Sequence, residues 1–469
     1  MKIKNKLIFY RQFLLILKLH CAPPPKEENS LYFLPLQRGL GEVVSCMQFV
    51  TKNALFLLFF FFFISPIFAQ DMERAKKTVS DLCAPAMRGR GYIAEGDKIA
   101  AKYIAQRLEK ARAKKFGSSY FQEFSLDVNT FPNKIALEID GQALKVGTDF
   151  IVSPVSTSGS GKGEIYWLDS LVFAQDRKAI AQLLATNLSD KILVLNAKDY
   201  PKLADLPTAI VRKIYETQAF ISLETKLTMS VANAQLTKPT FSVLKNKFPS
   251  QPQKAKFSLD AKLIENYKTQ NIIGYIEGKT QADSFLVFSA HYDHLGGLGK
   301  ESYFAGANDN ASGVSLLLEL LEYYKANPAN YSVVFMFFGA EEAGLIGSKF
   351  YVENPLFPLL KIKFLINLDL VGTGVEGITV VNATIFPQEF ALIENISKSG
   401  NYFPTVKKRG KAANSDHYFF TEKGVKSVFI YAMGGIQAYH DVDDKAETLP
   451  LSHYEAFFKL LTAFAKQIK

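Results

Sequence analysis

Seven side chains able to hold a metal ion or move a proton lie between positions 291 and 440. They are His291 and Asp293 in AHYDHLG, Asp309 in GANDNASG, the pair Glu341-Glu342 in GAEEAGLIGS, Asp369 in NLDLVG and His440 in YHDVDD. Imidazoles mixed with carboxylates form a nitrogen and oxygen donor set that suits zinc, with cobalt or manganese able to substitute. A carboxylate beside such a set, not itself a ligand, can serve as general base. Each residue alone says little: a single Asp at a strand end is more often a cap or ion-pair partner, and a single His more often a hydrogen-bonded structural residue. Recurrence at successive strand ends is what points to a metal-dependent hydrolase.

The elements that must position these residues alternate. Phe285 to Ala290 is an apolar run short enough for a buried parallel strand, and it releases His291 at its end. A Gly-rich loop leads to Asp309, then Ser312-Gly313 and an apolar helix, Val314 to Tyr324. Strands follow at SVVFMFF (332–338), FLINLDL (364–370), GITVV (377–381) and SVFIY (427–431), with a helix around 389–398. The last helix is expected to begin at Ser452, with Glu455 completing a capping box and Phe457, Leu460, Leu461 and Phe464 on one face. Upstream, 71–83 reads as a helix and MRGRGY (87–92) as a loop. The next helix has Ile99, Ala100, Tyr103, Ile104, Leu108 and Ala111 on its packed face, and Phe121 to Val128 alternates like an edge strand. Strand and helix in turn predict a three-layer α/β fold, in which ligands bind where the strands end.

From residue 131 the texture changes to short strands and turns, with a Gly-rich patch at 156–163 and a hairpin signal at Asp140-Gly141. No clustered carboxylates or histidines occur there. The segment 131–252 reads as a β-rich inserted domain that closes in the proline-containing stretch KNKFPSQPQK (245–254). It divides the α/β domain into an N-terminal part, 70–130, and a part carrying the candidate ligands, 253–469.

In this order the motifs, together with SDH (415–417), resemble those of the zinc aminopeptidases of peptidase family M28, and MRGRGY with its helix resembles the family's N-terminal entry. The resemblance implies a three-layer αβα, phosphorylase/hydrolase-like zinc peptidase domain and two zinc ions per chain. Asp309 would bridge them, with His291 and Asp369 completing one site and Glu342 and His440 the other. Asp293 would accept the free ring N–H of His291, Glu341 would be the general base, and His417 would contact substrate. His294 is expected to shape the loop after His291, and His453 to be solvated. Asn308 stands where many relatives carry Asp, a tolerated change if Asp309 is the ligand. The inserted segment resembles a protease-associated domain. The expected substrates are peptide or protein N-termini. The alternatives are a glutaminyl cyclase working with one zinc on the same scaffold, or a carboxypeptidase or dipeptidase of the same family.

The net charge of +10 is not a nucleic-acid signal: eight Lys and Arg against three Glu within residues 1–69 account for half of it, and the rest contains no long basic run. From Met47, Lys52 precedes an apolar core at Ala54 to Ile64 and a cleavage-like IFA at 67–69, the layout of a secretory signal peptide. Met47 is therefore expected to be the translation start, residues 1–46 an unstructured upstream extension, and the product exported to the periplasm or outside the cell without a stable membrane partner. An uncleaved anchor is the alternative. Only Cys83 of the three cysteines lies beyond this region, so no internal disulfide can form in the exported chain.

Overall fold

The computed structural model describes residues 70–468. The expected upstream extension, the signal peptide, Cys21 and Cys46 lie outside the described residues. The chain opens with helices α1 (Met72–Cys83) and α2 (Gly96–Lys110) and the alternating strand β1 (Phe121–Thr130). After the insert come β2 (Lys262–Ile276), β3 (Gln281–His291), α3 (Ser312–Ala326), β4 (Tyr331–Phe338), α4 (Ile346–Glu353) and β5 (Ile362–Leu368). The domain ends with β6 (Gly377–Val381), α5 (Pro387–Gly400), β7 (Val406–Lys408), β8 (Ser427–Met433) and α6 (Tyr454–Gln467).

These strands form one sheet in the order β1-β2-β4-β3-β5-β8-β6-β7. The four central strands, β4, β3, β5 and β8, run parallel, and β1 closes one edge antiparallel to β2. Their apolar runs alternate between two helical layers. Leu286, Phe288, Val333, Phe335, Phe364 and Ile366 pack under α1, α2, α3, α5 and α6, whereas Val287, Val334, Met336 and Leu365 face α4 and Phe420. Burial on both faces is why these strands read as continuous hydrophobic stretches. The expected three-layer α/β fold is present.

The insert forms a second eight-stranded sheet. It also carries helices Arg177–Ala185 and Thr208–Ile214, which bury Ala179, Leu183, Ile210 and Ile214 against Leu193, Leu195 and Phe220. The sheet runs past the boundary expected at 252: strand Lys254–Leu259 pairs with both Ile135–Ile139 and Gly159–Trp167. The prolines of 245–254 thus mark a turn into a strand rather than an exit. The Gly-rich patch is itself half strand. At its base the module is closed by a β1–β2 pair, Thr130 opposite Lys262.

Two local expectations fail. Helix α6 starts at Tyr454 with no side-chain cap, because Leu451 turns the chain through φ +48° and leaves Ser452 outside the helix, where its Oγ lies 3.4 Å from His453 Nδ1. On α2, Ile99 is exposed, and Asp97 is buried in its first turn, accepting hydrogen bonds from Tyr267 Oη and Thr269 Oγ1 at 2.7 Å each.

MRGRGY, expected as a loop, is a tight series of turns that docks the N-terminal segment onto the strand ends. Gly89 sits at φ +61°, and a Cβ there would collide with the carbonyls of Gly296 and Phe304. Next to it Arg90, fully buried, donates to five backbone carbonyls: Nε to Tyr292, Nη1 to Leu82 and Ala305, Nη2 to Gly306 and Asp309, at 2.6 to 3.2 Å. One guanidinium thereby satisfies carbonyls in three segments that no regular element can reach. Arg90→Met should lower unfolding free energy by about 3–5 kcal/mol, since several buried acceptors lose their donor. Urea denaturation of the two proteins checks this, and an unchanged midpoint would remove Arg90 from this role.

Candidate metal centre

His291, at the end of β3, points Nε2 at Asp309 Oδ1 (3.2 Å) and Asp369 Oδ1 (3.4 Å). His440 points Nε2 at Asp309 Oδ2 (3.1 Å) and Glu342 Oε2 (3.2 Å). Asp309 therefore stands between the two imidazoles, one oxygen turned to each. Glu341 and Glu342 follow β4, and Asp369 follows β5. The parallel strands deliver the groups to one edge, as their C-terminal ends must. His291, Asp309, Asp369 and His440 are all buried.

The outer ring nitrogens decide what these contacts mean. His291 Nδ1 faces the Asp293 carbonyl at 3.1 Å and His440 Nδ1 faces the Met229 carbonyl at 2.9 Å. A carbonyl can only accept, so each Nδ1 carries a proton, and each Nε2 faces carboxylates with a lone pair when the ring is neutral and with a second proton when it is charged. Lone pairs so opposed repel unless a proton or a metal ion lies between them. Asp369 Oδ1 accordingly makes no hydrogen bond although buried. Imidazoles oriented by carbonyls, with carboxylates around them, fit divalent metal ions.

Around this set lies a layer of positioning groups. Asp293 was expected to receive the His291 ring N–H on its carboxylate; its backbone carbonyl does so instead, because the ring folds back onto the chain two residues on. The carboxylate accepts from the backbone N–H of Glu341 (3.1 Å) and Glu342 (3.3 Å) and from Tyr92 Oη (3.4 Å), fixing the turn that carries both glutamates. Asp444 takes the N–H of Asn308 (2.8 Å) and Asp309 (3.0 Å), one on each oxygen. Asn308 Oδ1 accepts from Gly372 N at 2.9 Å, so the residue has a structural place of its own. Ser415 Oγ reaches Asp369 Oδ2 at 3.4 Å and is held by Asn367 Nδ2 at 2.8 Å.

His294 does more than shape a loop: its Nδ1 is 2.7 Å from Glu342 Oε1, and its Nε2 is buried without a partner. Together with Asp309 and Glu342 it could also contribute to a cluster of donor atoms. His440 is the better ligand, because a carbonyl fixes which of its nitrogens faces the carboxylates and nothing does so for His294. His417 does not meet the expectation of substrate contact. It is fully buried beside Phe429, neither ring nitrogen has a hydrogen-bond partner, and burial drives its imidazole down to about 3. His453, expected to be solvated, is partly buried and stacks on Phe403. Arg90, Tyr92, Met229, Ser415 and Asp444 were not anticipated. Arg90 and Tyr92 lie in MRGRGY, Ser415 in SDH and Asp444 in the acidic run after His440, motifs that marked the stretches without marking these roles; Met229 carried no signal.

Electrostatically the centre is divided. Burial pulls both imidazoles down, but Asp369, Glu341 and Asp309 around His291, and Glu342 and Asp309 around His440, push them well above their usual range. Burial alone would raise Asp309 and Glu342; hydrogen bonds from His291 and His440 hold Asp309 well below the carboxylate range, and the charge of His440 holds Glu342 at about 2. Glu341, Asp369 and Asp293 go the other way, raised chiefly by desolvation, Asp293 to about 7. Asp416, buried with neither oxygen hydrogen-bonded, also rises to about 7, and Asp444 to about 6.

A parallel α/β sheet whose strand ends converge on imidazoles bridged by one carboxylate is the architecture of a metal-dependent hydrolase. Residues 271–465 match the family model described as Peptidase family M28, and the domain that carries the site belongs to that family. Aminopeptidase YwaD of Bacillus subtilis is 25% identical over 386 residues, which cover 78% of this chain and 81% of that protein. A solved zinc aminopeptidase from Bacillus subtilis superposes with a TM-score of 0.61 at 21% identity, covering 84% of this chain and 93% of the other. An M28 peptidase precursor from Shewanella amazonensis gives 0.60 at 14% identity, with 85% and 95% covered. These two structures share the fold, insert included in the covered length.

The shifts set a pH dependence for the metal-free protein. His291 and His440, raised in the fold, contribute stability that is complete below their unfolded value of about 6.5 and lost as pH rises through the folded one. Asp293, Asp416 and Asp444, raised to about 7, 7 and 6, likewise favour the protonated fold and penalise it as pH rises. The depressed Asp309 and Glu342 act only below about pH 4. Chelated protein should therefore melt lower at pH 8 than at pH 5, with Asp293 alone worth about 2–3 kcal/mol over that span. Scanning calorimetry with and without added zinc checks it: zinc should restore the loss, and a melting point rising with pH would contradict the assignment.

Proposed function

We propose that this chain is an exported aminopeptidase that removes N-terminal residues with two zinc ions, one held by His291, Asp369 and Asp309 and the other by His440, Glu342 and Asp309. The observation that carries the reading is the division of Asp309, one oxygen to each imidazole, at 3.2 and 3.1 Å. Two cations side by side need shared negative charge, and this carboxylate is placed to supply it. The likeness to Aminopeptidase YwaD supports N-terminal cleavage. Bound zinc would supply Lewis acidity, polarising the scissile carbonyl and bringing the pKa of a water toward ~7.

The protein's own part is proton handling and placement. Glu341 is partly exposed, next to a ligand but not one of the close set, and its raised pKa suits a group that takes a proton from water and returns it to the leaving amine. Asp293 holds the turn so that the neighbouring glutamates diverge. The inserted sheet is a protease-associated type of module over this edge. Export rests on the layout of residues 47–69; among the described residues no helix is long and apolar enough to cross a membrane.

Glu341→Gln should lower kcat by about 10²–10⁴-fold while the protein retains two zinc ions, measured by anilide hydrolysis and metal analysis. Asp309→Asn should lose both ions. A panel of amino-acid anilides assayed with and without chelator tests the activity, and a peptide beginning with Gln is expected to lose that residue rather than cyclise. Cyclisation, or binding of a single ion by the unmodified chain, would overturn the proposal.

A further inference from the structure

The two imidazoles are held differently. His291 donates to a carbonyl two residues along its own loop, whereas His440 donates to one 211 positions away, in the insert. The pairing at Met229 is reciprocal: Met229 N–H donates to the His440 carbonyl at 2.8 Å and the Met229 carbonyl accepts from His440 Nδ1 at 2.9 Å. His440 has a left-handed backbone, φ +53°, a conformation uncommon for a non-glycine residue. Tyr439 covers one ring face, the rings 4.0 Å apart and 14° from parallel.

Met229 lies in the connection between two insert strands, Ala219–Glu224 and Thr240–Leu244, which pair in parallel. Parallel neighbours require a crossover, and this one leaves its own sheet to meet the metal-site loop. It is anchored at three places. Lys226 Nζ donates to the Gln437 carbonyl (2.8 Å) and pairs with Asp441 (3.1 Å). Leu227 and Met229 are buried in the insert's core, against which Val442 of the metal-site loop also packs. Val231 packs between that core and the cluster of Tyr92, Phe124 and Ala340.

We propose that the insert is a working part of the metal centre: its crossover, through the Met229 backbone and the Lys226 anchor, positions His440 and thereby sets the affinity of the ion held by His440 and Glu342, leaving the His291 and Asp369 site to itself. The inference rests on the two-ion reading above. Loss of a ligand's outer hydrogen-bond partner typically weakens metal binding about 10–100-fold.

The test is titration of the metal-free full chain with zinc against a chromophoric chelator, with cobalt absorption as a second readout of ligand geometry. Met229→Pro removes the N–H and displaces the carbonyl. It should weaken one of the two ions about 10–100-fold, alter the cobalt bands of that site alone, and spare the other. Lys226→Ala, at a half-exposed position, should weaken the same ion several-fold, with Lys226→Arg restoring it; this pair decides the matter should the proline variant not fold. Leu183→Ala, in the separate cluster between the insert's helices and its sheet, should lower the melting temperature without moving either affinity. Two ions bound as tightly in Met229→Pro or Lys226→Ala as in the wild type, or both weakened equally, would overturn the inference and leave the two-ion reading standing. A wild type that binds fewer than two ions would refute that reading, and this inference with it.

Discussion

A carboxylate shared between two imidazole lone pairs is the constraint around which this domain is built. Asp309 has almost no exposure and lies within 3.2 Å of a ring nitrogen on either side. In a low-dielectric interior such an arrangement is costly unless positive charge fills the gaps. A divalent cation would relieve that cost, and in its absence the same carboxylates favour protonated imidazoles at His291 and His440. Chemistry and cohesion are set by the same few atoms.

Holding that arrangement falls to groups outside the close donor set. Arg90 ties five carbonyls of the surrounding turns, among them that of Asp309 itself. Asp444 caps the two amides leading into Asp309, Asp293 caps those of the two glutamates, and Ser415 steadies Asp369. The pattern is consistent: carboxylates close to the site accept from freed backbone amides at strand ends, and backbone carbonyls receive the ring protons. Each candidate donor is thus oriented from behind by a group held in a neighbouring loop or turn.

What could be read in advance follows from where information resides. The seven candidate residues were legible because His291, Asp293, Glu341, Glu342 and Asp369 follow closely on apolar runs while Asp309 and His440 stand in the loops behind such runs, and the alternation of runs implied the layered sheet. The carbonyls of Asp293 and Met229 were not, since a backbone group leaves no mark in side-chain identity. His417 was misread because its motif says nothing of the depth at which it is buried. Ser452 and Glu455 had the spacing of a capping box, but Leu451 bends the chain before a helix can use it. The prolines near 252 resembled an exit from the insert; the strand after them pairs on both sides, a long-range fact invisible in a local window.

The neck of the insert has a corollary. Because Thr130 and Lys262 face each other across adjacent strands, a short hairpin could close the sheet there, and excision of everything between would leave the layered core continuous. The module is in that sense detachable, yet it donates an acceptor to a ring on the other side of the cut. A chain of this fold without the insert would leave His440 Nδ1 with no acceptor from that side, so the loop around His440 and the distant insert are tied as one unit.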